Sequence, residues 1–271
     1  MLTLSNDALV IQLLDPAKDR DRLGVRYCAG GYIFQITDPA RGDLLSGPTF
    51  PTSFNCFDGQ GIPDSFRLGP LASKQRLHEA LVIGVGVCDL AGNEVLEFSD
   101  WTVEAAGASV VFSVEQRYEE HAIKLVRTVS LHGRTVRSHT CLRVVGQAFA
   151  PVRWFPHPFF PHPQQGDELL WVNAPLRWRD AAGYVRHPSG FIARTAWPWR
   201  DGRYLALDHD ASAPLVVLQR HPLVGLVAGV CSYVPDYFAI WGNQVTMSWE
   251  PFLERLVAPG QELTWWVDYT F

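Results

Sequence analysis

The chain has 271 residues, 47% of them hydrophobic, and a formal net charge of −5. That is enough apolar material for a sizeable core and excludes general disorder, while the absence of any Lys/Arg run able to neutralise a phosphate backbone argues against nucleic acid as a partner. All-β sandwiches reach this length as one unit, so a single domain over residues 1–271 is expected.

The first stretch, Met1 to Leu14, carries Asn6 and Asp7 within its apolar run and has no basic leader, so it does not read as a signal peptide. No uncharged apolar run approaches the roughly 20 residues needed to cross a bilayer, and no membrane partner is expected. Gly31 to Thr37 is the first clear strand and stops at Asp38-Pro39. Asp64 to Glu79 has room for a helical turn, although Gly69-Pro70 would break a longer helix. Leu81 to Val87, Val95 to Phe98 and Ser109 to Tyr118 follow as strands. His121 to Ser130 and Thr135 to Val145 alternate with period two, and Leu131-His132-Gly133-Arg134 between them reads as a hairpin. The proline-rich run from Pro151 to Pro163 reads as an ordered loop, because aromatic residues interleave its prolines. Later strands fit Leu169 to Val172, Tyr204 to Asp208, Pro214 to Gln219 and Gly225 to Val230. Tyr237 to Trp241, a tight turn at Asn243, Gln244 to Glu250 and Leu263 to Phe271 close the chain. No βαβ alternation occurs, which argues against a doubly wound parallel sheet.

Five cysteines, Cys28, Cys56, Cys88, Cys141 and Cys231, are widely spaced with no C-x-x-C pair, which argues against a disulfide scaffold or structural zinc and favours a reducing cytoplasm. Ten tryptophans, with 15 Phe and 8 Tyr, either fill a large β core or line a cleft for a sugar, whose C–H faces pack on flat aromatic rings. Gly84-Val85-Gly86 lacks the third glycine and following helix of a dinucleotide loop and fits close strand contact instead. His157 and His162 lie five apart with no third ligand at a recognisable spacing, and Asp208-His209-Asp210 is no better supported, so neither metal nor other cofactor is expected. No G-x-S-x-G elbow marks a nucleophile.

Two segments suit proton transfer. In Arg153-Trp154-Phe155-Pro156-His157-Pro158-Phe159-Phe160 an imidazole stands between two prolines on a backbone with little freedom. In Met247-Ser248-Trp249-Glu250-Pro251-Phe252 a carboxylate lies among apolar neighbours that would raise its pKa towards a useful base strength. Each also has a plain structural reading: His157 as a loop-capping residue, Glu250 as a solvent-facing strand end.

His157-Pro158-Phe159-Phe160, His187-Pro188-Ser189-Gly190, Asp208, Phe238-Ala239-Ile240-Trp241-Gly242-Asn243, Trp249-Glu250-Pro251 and the terminal Ala258-Pro259-Gly260-Gln261-Glu262-Leu263 occur in an order that resembles the aldose 1-epimerase (galactose mutarotase-like) superfamily over roughly Arg153 to Phe271. The resemblance implies an all-β supersandwich of large, mostly antiparallel sheets with a cleft across one face. It also implies Glu250 as general base, His157 as general acid, and Asp208 and Trp241 among the sugar contacts. The family's early Asn-Arg and first-histidine motifs are not clear in this chain; Arg67, Arg76 and His78 stand nearest to them. The activity implied is interconversion of the anomers of a sugar or sugar phosphate, with the two side chains facing one cleft about a pyranose ring apart. A phosphorylated sugar would call on Arg153, Arg177, Arg179 or Arg194. A non-catalytic sugar-binding protein on the same fold is the alternative, and a hydrolase would need a second carboxylate such as Asp208 or Asp236 beside Glu250. Apolar strand edges make a homodimer possible.

Overall fold

A computed structural model describes residues 1–20, 23–47, 59–178 and 183–271. Two sheets dominate. The larger has ten strands in the order Thr102–Ala106, Ser109–Tyr118, His121–His132, Thr135–Val144, Glu262–Thr270, Gly225–Cys231, Val216–His221, Glu168–Val172, Ile192–Arg194 and Tyr184–Arg186. The second has seven: Leu176–Arg177, Arg203–His209, Tyr237–Gly242, Thr246–Val257, Ala150–Pro156 and Asp64–Ser65 in order, with Phe160–Pro161 also paired to Thr246–Val257. Two four-stranded sheets come from the N-terminal part, one of them built on Leu2–Ser5, Val10–Leu13, Ile33–Asp38 and Gly42–Asp43. The strands of both large sheets pair antiparallel throughout, and no α-helix occurs among the described residues.

Alternation explains the layering. Along Ser109–Tyr118 every second residue is buried, as the period of a strand requires when one face meets a core. Trp265 and Tyr269 of the ten-stranded sheet meet Trp154 and Trp249 of the seven-stranded sheet, with ring centroids 5.3 Å apart for Trp154–Trp265 and 5.7 Å for Trp249–Tyr269. Room for Trp249 comes from Gly229, where a Cβ would stand 2.5 Å from the indole. One charged bridge crosses this apolar layer. Arg127 of the larger sheet reaches Asp64 of the smaller at 2.5 Å and donates also to Ser138 Oγ at 2.9 Å. Burial pushes the Asp64 carboxyl up while the guanidinium opposes it, so the pair holds only because each charge satisfies the other.

Several local expectations change. The single run Leu81 to Val87 is instead two strands, Glu79–Val82 and Gly86–Asp89, folded about Ile83-Gly84-Val85. Gly84 sits there at φ 77° with its Cα against the Cys28 thiol, which agrees with close backbone approach. No helical turn forms in Asp64 to Glu79; Asp64–Ser65 and Leu71–Ala72 are short strands around a turn closed by Gly69 N–H on Phe66 O. Pro151 to Pro163 is not a loop at its start, since Ala150–Pro156 pairs along Val257 to Leu253. Proline is tolerated at 151 because only Phe155 and Pro156 of that strand have a second neighbour, Asp64–Ser65. Cys56 and Arg179 lie outside the described residues.

Candidate active site

The two proton-transfer candidates meet on the seven-stranded sheet. Glu250 lies in Thr246–Val257, opposite Ala239 of the neighbouring strand, whose methyl leaves space above it. His157 follows the last residue of Ala150–Pro156. Its backbone N–H donates to Pro63 O at 2.8 Å, and Phe159 N–H to Gly61 O at 2.8 Å, so the His-Pro-Phe segment is pinned on both sides of Pro158. The imidazole stacks on Phe159 with centroids 4.2 Å apart. Phe155, Trp241 and Tyr27 enclose it at 5.9, 6.0 and 6.3 Å.

Within this aromatic box His157 Nε2 lies 3.3 Å from Glu250 Oε1. The residues are 3% and 5% exposed, so neither is a solvent-facing strand end or an open loop cap. A gap the width of a sugar ring does not separate them: strand pairing brings the two side chains into direct contact on one face. Burial raises the Glu250 carboxyl to about 7, against a smaller opposing pull from Arg26. Burial, reinforced by the Arg26 charge, holds the His157 imidazole well below its ordinary value. Nδ1 of His157 is buried with no hydrogen-bond partner, so an imidazolium would have an uncompensated N–H. Both shifts have one physical origin: a low-dielectric pocket favours the neutral carboxyl beside the neutral ring over two separated charges. Below about pH 7 the pair therefore holds a single titratable proton, on Glu250.

A cavity of about 480 Å³ opens farther along the same sheet face, beyond the stacked Phe155 and Phe252, lined by Leu68, Arg153, Tyr204, Asp236, Tyr237, Phe252 and Glu254. Phe252 is two residues beyond Glu250 and so shares its face; it stacks on Phe155 at 4.4 Å, the ring next to His157. The hydroxyls of Tyr204 and Tyr237 hydrogen-bond to each other. Burial raises the Tyr204 hydroxyl, the Tyr237 partner adds to this, and the nearby charge of Glu250 acts in the same direction.

The remaining nominated residues divide. Trp241 packs edge-on to His157. Asp208 is exposed, on the face of Tyr204 by alternation with buried Leu205 and Leu207, and pairs in register with Arg177. Arg76 and His78 are not brought to the pair. They occupy an outward turn, where Arg76 bonds Glu79 at 2.9 Å over the Tyr118 ring and His78 is exposed with φ 67°. The charge that reaches the pair comes from Arg26, on a segment with no strand periodicity and no sequence signal. Of the arginines considered for a phosphate, the three described are already engaged: Arg153 with Glu254 at 2.8 Å, Arg177 with Asp210, and Arg194 with Asp167 at 3.2 Å. His162 donates Nε2–H to Asn243 O at 2.8 Å and is held down to about 4, chiefly by burial; it braces the turn at Asn243. Most of the large fully buried aromatics, Trp154, Trp249 and Trp265 among them, fill the core. The aromatic residues lining the cavity are Tyr204, Tyr237 and Phe252, with no tryptophan among the described residues that line it.

Among solved structures, 46 chains match this one. A galactose mutarotase related enzyme from Lactobacillus acidophilus superposes with a TM-score of 0.63 at 11% identity, covering 99% of this chain and 96% of that one. A galactose mutarotase-like protein from Lactobacillus casei gives 0.60 at 14% identity, covering 100% and 99%. The chain has the galactose mutarotase-like fold. An aldose epimerase homologue from C. elegans shares the fold at a TM-score of 0.55 and 11% identity, covering 99% of this chain and 97% of that one. No family model and no curated protein matches the sequence.

Proposed function

We propose that this protein interconverts the anomers of a sugar, with Glu250 and His157 as the proton-transferring pair. The observation that carries the reading is the 3.3 Å contact between a buried imidazole and a buried carboxyl whose protonation preferences are both displaced; groups so perturbed and so placed gather at functional sites.

The chemistry fits one proton shared by two groups. In a cyclic sugar the C1 hydroxyl oxygen and the ring oxygen are bonded to the same carbon, so the groups serving them must be neighbours. When the proton is on His157, Glu250 takes the hydroxyl proton, the C1=O bond forms and the C1–ring-oxygen bond breaks. Its electron pair goes to the ring oxygen, which receives the proton of His157. The proton now rests on Glu250. The C1–C2 bond rotates, and closure on the other carbonyl face runs the transfers in reverse, returning the proton to His157. Opening and closing thus use the two forms of one pair in turn, and no net proton is gained or lost. The unliganded form, with its proton on Glu250, is the form that receives the open-chain sugar; a cyclic sugar enters after the proton moves across the 3.3 Å contact. Two positioned groups contribute about 10² to 10⁴-fold each, and the uncatalysed reaction already proceeds in water.

The test is polarimetry on freshly dissolved sugars with the wild type and Glu250→Gln. The expected result is faster anomer equilibration by the wild type and its loss in the variant, with sugar binding by calorimetry retained. Equal rates for the two proteins would refute the role of Glu250, and sugar binding with no acceleration by the wild type would leave a non-catalytic sugar-binding protein.

A further inference from the structure

We infer that the cavity beyond the pair is a second sugar subsite, so that the substrate is a neutral reducing disaccharide or longer saccharide rather than a lone hexose. The inference rests on the anomer-interconverting reading for its chemistry but on separate residues for its geometry.

Three observations point to it. The first is size and position. The cavity's 480 Å³ falls within the roughly 300–1,000 Å³ that encloses a drug-sized molecule, a class larger than one hexose. On the strand of Glu250 its lining begins at Phe252, two residues or roughly 7 Å on at the rise of a β-strand, and continues to Glu254. A saccharide with its anomeric carbon at Glu250 and His157 carries its 4-hydroxyl at the opposite side of the ring, so a residue linked there extends in this direction.

The second is the character of the walls. Phe252 and Tyr237 meet edge to face at 5.1 Å, and Tyr204 is 49% exposed with Leu68 at 47%. Aromatic faces left open beside a cavity suit the C–H face of a pyranose. The polar groups are paired at the rim: Arg153 with Glu254 at 2.8 Å, and Asp236 with Arg255. Carboxylate–guanidinium pairs can both accept from and donate to the hydroxyls of a neutral sugar.

The third is charge. The rim carries two carboxylates, Glu254 and Asp236, each already paired with an arginine, Arg153 and Arg255. A phosphate dianion would have to compete with those carboxylates for their arginines, whereas a neutral saccharide can hydrogen-bond to the pairs as they stand.

The experiment measures kcat/KM by NMR exchange for glucose, galactose, maltose, lactose and glucose 6-phosphate, on wild type, Tyr204→Ala and, should that variant fold poorly, Asp236→Asn. The expected result is a kcat/KM at least about 10-fold higher for a disaccharide than for its reducing-end hexose. Tyr204→Ala or Asp236→Asn should shrink that ratio by a similar factor, with glucose 6-phosphate the poorest substrate. Equal kcat/KM for hexose and disaccharide, or a ratio unmoved by either substitution, overturns the subsite and leaves the proposed activity standing. If no sugar turns over, the activity fails, and calorimetry with maltose and lactose decides the subsite. Binding weakened by Tyr204→Ala supports it; no binding by the wild type overturns it.

Discussion

Replacing Glu250 by Gln should stabilise the protein at alkaline pH while leaving it little changed in acid. The reason lies in where the carboxyl keeps its proton. In the unfolded chain it titrates near its ordinary 4.5; in the fold, burial against Phe155, Phe252 and the His157 ring lifts it to about 7. Between those two values the folded chain holds a proton that the unfolded chain has released, so folding stability falls as pH rises through that window. Carrying a carboxyl from 4.5 to about 7 corresponds to roughly 3 kcal/mol in all. Glutamine has the same shape and nothing to ionise, so the loss disappears. His157 acts in the opposite sense. Its imidazole is held below its ordinary value, so its contribution is complete above about 6.5 and is lost as pH falls. That dependence is common to both proteins and cancels in their difference. Urea denaturation at pH 5 and pH 8 gives that difference directly, and most of the roughly 3 kcal/mol should appear as a gain of the variant over the wild type between the two. A variant-minus-wild-type difference that is the same at both pH values would refute the displaced carboxyl, and with it the single-proton pair.

Turnover should fall as pH rises through about 7, because Glu250 then ionises beside a neutral imidazole and the pair has no proton to pass; a pH–rate profile checks this. Arg26→Met should move that limb to higher pH, since the guanidinium pulls the Glu250 carboxyl down. Arg127→Leu strands the Asp64 carboxyl in the apolar layer between the sheets. It should cost roughly 3–5 kcal/mol in denaturant unfolding, with Arg127→Leu/Asp64→Leu recovering most of the loss. Gly229→Val places carbon where the Trp249 indole already lies, 2.5 Å away, and should cost about 1–3 kcal/mol by overpacking, read as a lowered Tm.

Much of the fold is legible in the chain because its longest strands bury one face only. Ser109–Tyr118 and Thr135–Val144 show period two in sequence and in burial alike, and the hairpin between His121–His132 and Thr135–Val144 closes where Gly133 takes φ 57°. What escapes notice is short or buried on both faces. Leu2–Ser5 and Val10–Leu13 have four residues each, too few for a period, and Asn6 between them forms the turn by accepting from Ala8 and Leu9 N–H. Leu81 to Val87 reads as one strand because the residues at the turn, Ile83 and Val85, are as apolar as the strands they join. At the site, Glu250 and His157 stand out by their proline and aromatic neighbours. Arg26 does not, since its electrostatic reach to both depends on a loop path that no local pattern encodes. The same holds for Arg76 and His78 in the negative: they stand nearest to the family's early motifs, but the Ser73 side chain caps their turn outward by accepting from Gln75 and Arg76 N–H.

The strand bearing Glu250 is covered on both faces from Thr246 through Leu253. Amide hydrogens there can reach solvent only when that layer opens, so they should rank with the slowest to exchange for deuterium. The carboxyl is thereby anchored in the least yielding part of the chain. Tyr27 and Arg26 meet the same pair from a segment outside any strand.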